Sequence, residues 1–368
     1  MKIVQLLPEL NEGGVERGVV ELNRELVRRG HESVVISAGG RQASQIEVDG
    51  GRHVTFDVCS KNPLTAFQRV RGLRRLLREL APDILHARSR VPAWLAWLAN
   101  RRLQIPFVTT VHGFNSVNAY SRVMTFGDRV ICVSGAIRDH VRRHYDVPEE
   151  KLVVIPRGVD LDAFDPNRVD REFMTRFRAE HRLEGRWVVT AVGRITQLKD
   201  YETFIRAIGE LGRQRPEAVG LIVGGVREDK RDYFASLQRL VTELGLEDRI
   251  VFAGSQQRIA EIYALSDVVV SSSKKPESFG RAAAEALAMN VPVVASRHGG
   301  VLDIVREGQT GFLFAPGDDA ELARQIMRAA GLDRSGLRKM VEENFSLEMM
   351  VDRTRAVYAD LGCGQGSS

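Results

Sequence analysis

Two carboxylates eight residues apart, Glu277 and Glu285, bracket the run Ser278-Phe279-Gly280-Arg281 in a chain of 368 residues. An apolar stretch of strand type, Val268 to Ser273, comes before them, and a second, Val291 to Ala295, comes after. This order predicts Glu277 in a strand-to-helix loop and Glu285 in the second turn of a helix rich in small residues. The amino end of such a helix offers backbone N–H groups without intrahelical partners and the positive end of the helix dipole, which suits a phosphate. Carboxylates on either side can accept hydrogen bonds from sugar hydroxyls. A nucleotide diphosphate-sugar is the ligand this arrangement fits best.

Other residues of useful chemistry lie elsewhere. Arg194 and Lys199 follow the apolar run Trp187 to Val192 and precede a helix that starts at about Tyr201. A guanidinium can grip two phosphate oxygens at once and an ammonium acts as a point charge, so together they would neutralise a leaving diphosphate. His112 follows Thr109-Thr110-Val111 and precedes Gly113-Phe114. Gly13-Gly14 separates the first apolar run, Ile3 to Leu7, from an amphipathic helix over Glu16 to Arg29, and without a Cβ its backbone can approach a ligand closely. The pair departs from the G-x-G-x-x-G dinucleotide fingerprint and supports no NAD site.

No metal site or other cofactor is expected. Asp160-Leu161-Asp162 has the D-x-D form of a metal motif, but it follows Arg157-Gly158-Val159 in an interdomain stretch and reads as coincidence. His140 and His144 stand four apart without an acidic partner. Cys59, Cys132 and Cys363 are odd in number and far apart, against a disulfide framework or structural zinc.

From Pro276 to Phe314, with Glu277-x7-Glu285, the run Val291-Pro-Val-Val-Ala-Ser296 and then His298-Gly299-Gly300, the chain resembles the retaining GT-B glycosyltransferases of family 4 (glycosyl transferases group 1). The likeness covers most of the chain, including Thr109 to Phe114, Asp128 to Ser134 and Ile155 to Asp160, and in detail is to enzymes building bacterial lipopolysaccharide core. It implies transfer of a sugar from a UDP-sugar to a hydroxyl of a lipid-linked glycan, with retention and without a metal. It implies His112, Arg194, Lys199 and Glu277 as catalytic residues. By the same resemblance, His112 hydrogen-bonds the transferred sugar, and Glu277 with the backbone of Ser278 to Gly280 holds sugar hydroxyls. Glu285 holds the ribose, Gly13 and Gly14 approach the donor diphosphate, and Phe279 and Arg281 complete the donor-binding set. The chain departs from the family at Asp200, where glycine is usual, and at Arg157, where asparagine is common. Base choice falls to loops around Gly224-Gly225 and Gly254 to Ile259.

Two rivals are weaker. A nucleotide-sugar epimerase on the same fold needs a pair of acids or bases that the His112 loop does not obviously supply. A basic nucleic-acid-binding protein would show stacking aromatics or a recognition helix beside its charge, so no nucleic-acid partner is expected.

The elements that must position these residues fall into two series that begin about half a chain apart. In each, apolar runs alternate with amphipathic helices, the pattern of parallel strands covered on both faces. The expected class is α/β: a GT-B pair of doubly wound Rossmann-like domains facing a cleft. Residues 1–168 form the acceptor-binding domain and 169–346 the nucleotide-sugar domain, with a helix over 347–361 packing back on the first. The tail Gly362 to Ser368 is expected to fray.

Apolar and charged fractions of 43% and 27% are ordinary for a soluble globular protein. No run reaches the length of a membrane span, and the amino-terminal segment lacks the features of a signal peptide, so the cytoplasm is the expected compartment. The net charge is +5, and between Lys61 and Arg102 ten basic residues face only Glu79 and Asp83. The helix Thr65 to Leu80 is expected to turn Phe67, Val70, Leu73, Leu76, Leu77 and Leu80 inward. Its arginines, with Trp94 and Trp97, suit peripheral binding to an anionic inner-membrane surface. A solvated basic face is the plainer alternative.

Overall fold

The computed structural model describes residues 1–11 and 13–363. Of the tail expected to fray, Gly362 to Ser368, the first two residues instead close the helix Leu347–Cys363, and the rest lies outside the described residues. The chain divides into two compact units, one of Met1–Gly158 with the chain from Leu347 onward, the other of Val159–Ser346.

Among the described residues the first unit carries a seven-stranded parallel sheet of β1 (Lys2–Leu6), β2 (Glu32–Ser37), β3 (Arg52–Thr55), β4 (Ile84–Ala87), β5 (Phe107–Val111), β6 (Arg129–Cys132) and β7 (Leu152–Val154). Its order is β3-β2-β1-β4-β5-β6-β7. The second unit carries six parallel strands, β8 (Trp187–Val192), β9 (Ala218–Val223), β10 (Ile250–Phe252), β11 (Val268–Ser271), β12 (Val293–Ser296) and β13 (Gly311–Phe314), ordered β10-β9-β8-β11-β12-β13. Strand order reverses between β1 and β4 and again between β8 and β11. Such switch points open crevices at the carboxyl ends of the strands, where ligands of doubly wound sheets bind. Both units are therefore Rossmann-like, as the alternation of apolar runs and helices predicts.

Helices cover the sheets with apolar faces, and several start on side-chain caps. Val19, Leu22 and Leu26 of the helix Gly14–Arg28 are buried. Ser134 accepts from the Ile137 amide (3.2 Å) to open the helix Gly135–His144, and Asp318 from Glu321 (2.7 Å) to open Asp319–Ala330.

The helix Leu347–Cys363 packs Leu347, Val351, Val357 and Tyr358 against Ile3, Leu22, Leu26 and Ile84. Arg129 and Asp360 pair at 2.5 Å in the same unit. The expected boundary after residue 168 lies beyond the observed division at Gly158. Val159 and Phe164 belong to a core cluster of the second unit, and the Val159 amide donates to Phe345 O (2.8 Å).

The basic segment differs from expectation in a physically simple way. In the helix Pro63–Leu80 the inward face is Arg69, Leu73, Leu77 and Leu80, and Phe67, two residues from Arg69 and so about 200° round the helix, is 74% exposed. Arg69 is held inside by Ser60 O (2.8 Å) and Asn62 O (2.9 Å). Arg74 donates to Leu98 O and Ala99 O, both at 3.1 Å, satisfying carbonyls near the end of the helix Arg90–Asn100. Trp94 and Trp97 are not free interfacial anchors. Both are half-buried with Phe126, and the Trp94 indole N–H donates to Tyr120 O (2.9 Å). Lys61, Arg71, Arg75 and Arg78 remain exposed, as does Leu64 (88%).

Candidate active site

In the second unit the candidate residues gather at the carboxyl edge of its sheet, around the switch point. Gly193 and Arg194 follow β8, Ser273 and Glu277 follow β11, and His298 follows β12. Lys199 Nζ lies 2.5 Å from Glu277 Oε1. The same oxygen accepts from the Ser273 hydroxyl and, more weakly, from Ser271 (3.4 Å). Burial alone would raise the Glu277 pKa. The Lys199 charge and the hydrogen bonds from Lys199, Ser273 and Ser271 outweigh it and hold the carboxyl below its ordinary value. Arg194 is exposed and, among the described residues, has no ion-pair or hydrogen-bond partner. Lysine and glutamate, assigned to separate tasks by resemblance, here neutralise each other.

The backbone around Glu277 is clamped by glycines. Gly299 has φ +78°, and a Cβ there would come 2.5 Å from Glu277 O. A Cβ on Gly300 would meet Ser278 O at 2.4 Å, and the Gly300 amide donates to Glu277 O (2.7 Å). Adjacent His298 donates from Nε2 to Ser273 O (2.9 Å). The His298-Gly299-Gly300 run is thus the mould in which the Glu277 loop is cast.

Asp200, where the family has glycine, takes the left-handed conformation that glycine favours (φ 50°, ψ 53°). Aspartate is among the residues that tolerate it. Its buried carboxylate accepts from the Thr203 hydroxyl at 2.8 Å. Aspartate thus makes the left-handed turn that a glycine would make at less cost.

Gly280, with φ +103°, precedes the helix Arg281–Ala288. Phe279 is buried against Phe345 (ring centroids 5.9 Å), so only its backbone is open to a donor role. Ser278 is half-exposed. Glu285 lies in the helix's second turn, buried, accepting from the Tyr263 hydroxyl (3.3 Å) with Arg281 Nη1 4.0 Å away. Arg281 therefore sits over Glu285, one turn along the same helix.

In the first unit, His112 follows β5. Arg157 Nη2 donates to its Nδ1 (3.0 Å), and Arg157 also donates to Gly14 O. A guanidinium can only donate, so Nδ1 accepts and the neutral ring carries its proton on Nε2. That Nε2 is buried and has no hydrogen-bond partner among the described residues. Burial first, then the charges of Arg157 and Arg88, hold the His112 pKa well below its usual value. The ring is thus a neutral donor. Gly13 is extended (φ 164°), and a Cβ there would meet only the movable Glu16 carboxylate. Nothing in the described backbone requires glycine at 13 or 14.

Asp160 accepts from the amides of Asp162 and Ala163, both at 3.2 Å, while Asp162 pairs with Arg168 (3.6 Å). The D-x-D string serves its own turn. Sequence reasoning missed Ser273, which carries no motif of its own. It also missed His86, whose buried ring lies 2.6 Å from the Tyr358 hydroxyl and 2.7 Å from Thr110 Oγ1. A histidine inside the otherwise apolar strand Ile84–Ala87 was the available signal.

Residues 12–163 match the model of Glycosyltransferase Family 4, and residues 173–345 that of Glycosyl transferases group 1. An N-acetyl-alpha-D-glucosaminyl L-malate synthase from Bacillus anthracis is 27% identical over 94% of this chain and 93% of its own length. A D-inositol 3-phosphate glycosyltransferase from Geodermatophilus obscurus is 29% identical over 94% of this chain and 84% of its own. The crystal structure of a glycosyltransferase from Rickettsia africae matches with TM-score 0.91 and 29% identity over 98% of both chains. The chain is a GT-B glycosyltransferase, with a family 4 domain followed by a group 1 domain. These relatives are named for L-malate and D-inositol 3-phosphate, so the narrower likeness to lipopolysaccharide-core enzymes gives way to the broader class.

Proposed function

We propose that this glycosyltransferase takes its sugar from a UDP-sugar, retains the anomeric configuration and needs no metal ion. The observation that carries the reading is the grouping of Arg194, Lys199 and Glu277 at the switch point between β8 and β11. In the reaction, the bond from the anomeric carbon to the diphosphate oxygen breaks as the acceptor oxygen bonds to the same face. The acceptor's proton passes to the departing diphosphate oxygen. Arg194 and Lys199 meet the growing negative charge, the kind of preorganised stabilisation that dominates many enzymes. Donor binding exchanges the Lys199–Glu277 contact for a phosphate on the lysine and a sugar hydroxyl on the glutamate. Neutral His112 donates from Nε2 to the sugar, Glu285 takes the ribose, and uracil is favoured on family resemblance.

The finer acceptor assignment is a lipid-linked glycan at an anionic membrane face. Exposed Leu64 and Phe67 beside Lys61, Arg71 and Arg75 support it. Each such basic residue contributes about 1 kcal/mol near anionic lipid. No helix among the described residues is long and apolar enough to cross a membrane. Vesicle co-sedimentation should show salt-sensitive binding to anionic lipid, and equal weak binding to neutral lipid would remove this assignment.

The donor reading is tested by thermal unfolding against a panel of nucleoside diphosphates. A ligand at 100 times its Kd adds about 2.7 kcal/mol, and UDP should give the largest shift. Labelled donor should yield product only with acceptor and equally in EDTA, with the anomeric configuration kept by NMR. An epimerised nucleotide-sugar formed without acceptor would favour the epimerase instead.

A further inference from the structure

Arg88 is 7% exposed and stands directly after β4. Its amide donates to Leu6 O of β1 (2.8 Å), so it sits at the point where the first sheet reverses its strand order. Its Nη1 lies 3.4 Å from Gln5 Oε1, and its Nε and the Gln5 Nε2 are both buried and have no hydrogen-bond partner among the described residues. Among the described residues no carboxylate pairs with it. A guanidinium held away from water without a counter-charge is costly. It persists here at the edge of the sheet where ligands bind.

The surroundings are shaped for negative charge. A Cβ on Gly18, in the first turns of the helix Gly14–Arg28, would come 3.8 Å from Arg88 Nη2 and 3.2 Å from Arg157 Nη1. The bare glycine leaves room for two guanidiniums beside the positive end of that helix. Two acids of that helix have contacts of their own: Glu16 folds over Gly13, and Glu21 pairs with Arg17 at 2.7 Å.

We propose that Arg88, with Gln5 and the amino end of the helix Gly14–Arg28, binds an oxyanion, a phosphate or carboxylate borne by the acceptor. The guanidinium fork takes two oxygens and the Gln5 amide a third. Assigning the anion to the acceptor rests on the transfer reading above, in which the donor diphosphate has its own cations, Arg194 and Lys199. The anion site itself does not depend on that reading.

The test is calorimetric titration of the full chain with inorganic phosphate and, separately, succinate, with UDP held saturating to keep phosphate out of the nucleotide site. Saturable binding is expected for at least one. Phosphate alone points to a phosphorylated acceptor, and succinate alone to a carboxylate. Arg88→Gln should weaken it about tenfold or more while UDP binds as before. Arg88→Lys keeps the charge, guards against a folding failure, and should lose less. Without anion, Arg88→Gln should melt no lower than wild type, since it removes an uncompensated buried charge. Equal binding by wild type and Arg88→Gln, or binding of neither anion to wild type, overturns the proposal. If UDP fails to bind, the nucleotide reading falls, and the comparison between wild type and Arg88→Gln still decides the anion site.

Discussion

Lys199 and Glu277 form an ion pair at 2.5 Å across neighbouring strand ends, although 78 residues separate them in the chain. Each is the other's counter-ion until something better arrives. Removing one leaves a part-buried charge exposed to its own desolvation cost. Lys199→Ala should therefore destabilise the fold by about 1–3 kcal/mol as well as slow turnover by orders of magnitude. Arg194→Ala should slow turnover with little change in stability. In a urea-unfolding cycle, Lys199→Ala with Glu277→Gln should cost less than the sum of the singles. Additive effects would mean the pair is not coupled.

The pH dependence follows from the depressed Glu277 pKa. A carboxyl whose folded value lies below its unfolded one adds stability that is present above the unfolded value and lost as pH falls through the folded one. The stability difference between wild type and Glu277→Gln should thus be flat at neutral pH and shrink below about pH 4.5, the ordinary value. A difference that grew on acidification would reverse the assignment.

His112 should stay neutral through mildly acidic pH with its proton on Nε2. Its ¹⁵N chemical shifts should barely move between about pH 8 and pH 6, where an ordinary histidine near 6.5 titrates. Arg157→Asn, which installs the residue common in the family, should raise its pKa toward that ordinary value. A normal titration in wild type would show that burial and the two arginines do not govern the ring.

Two backbone positions give opposite expectations. Gly299→Ala must displace the Glu277 carbonyl and hold φ near +78°, so a loss of about 2 kcal/mol or more should accompany a collapse of activity. Asp200→Gly should be nearly neutral, relieving about 1 kcal/mol of left-handed strain while losing a hydrogen bond of similar size. Asp200→Ala loses the bond and keeps the strain, so it should be the less stable of the two. Denaturant titrations of the three variants rank them, and equal stability of Asp200→Ala and Asp200→Gly would refute the account.

The architecture was legible because parallel strands buried on both faces write themselves as unbroken apolar runs, as in Trp187 to Val192. Local geometry was legible where spacing sufficed, as for Glu285 in the second turn of its helix. Side-chain allegiance was not. Phe67 has the apolarity of a core residue, but Arg69 takes the inward face. Trp94 and Trp97 could read as interfacial anchors until Phe126 closed over them. The partners of His86 and Arg88 come from distant strands and from the chain's last helix, and no window of sequence brings those together.

The helix Leu347–Cys363 has one more consequence, for the order of events during synthesis. His86 meets Tyr358, and the Gly158 amide meets Met350 Sδ (3.3 Å), so the first unit lacks its closing pieces until everything from Val159 to Ser346 has left the ribosome. The second unit has no such wait, because Val159 and Ser346 bridge each other at its own two ends. The half made last is thus the half that can finish first, and the half begun first stands open, in need of shelter, until the final helix emerges.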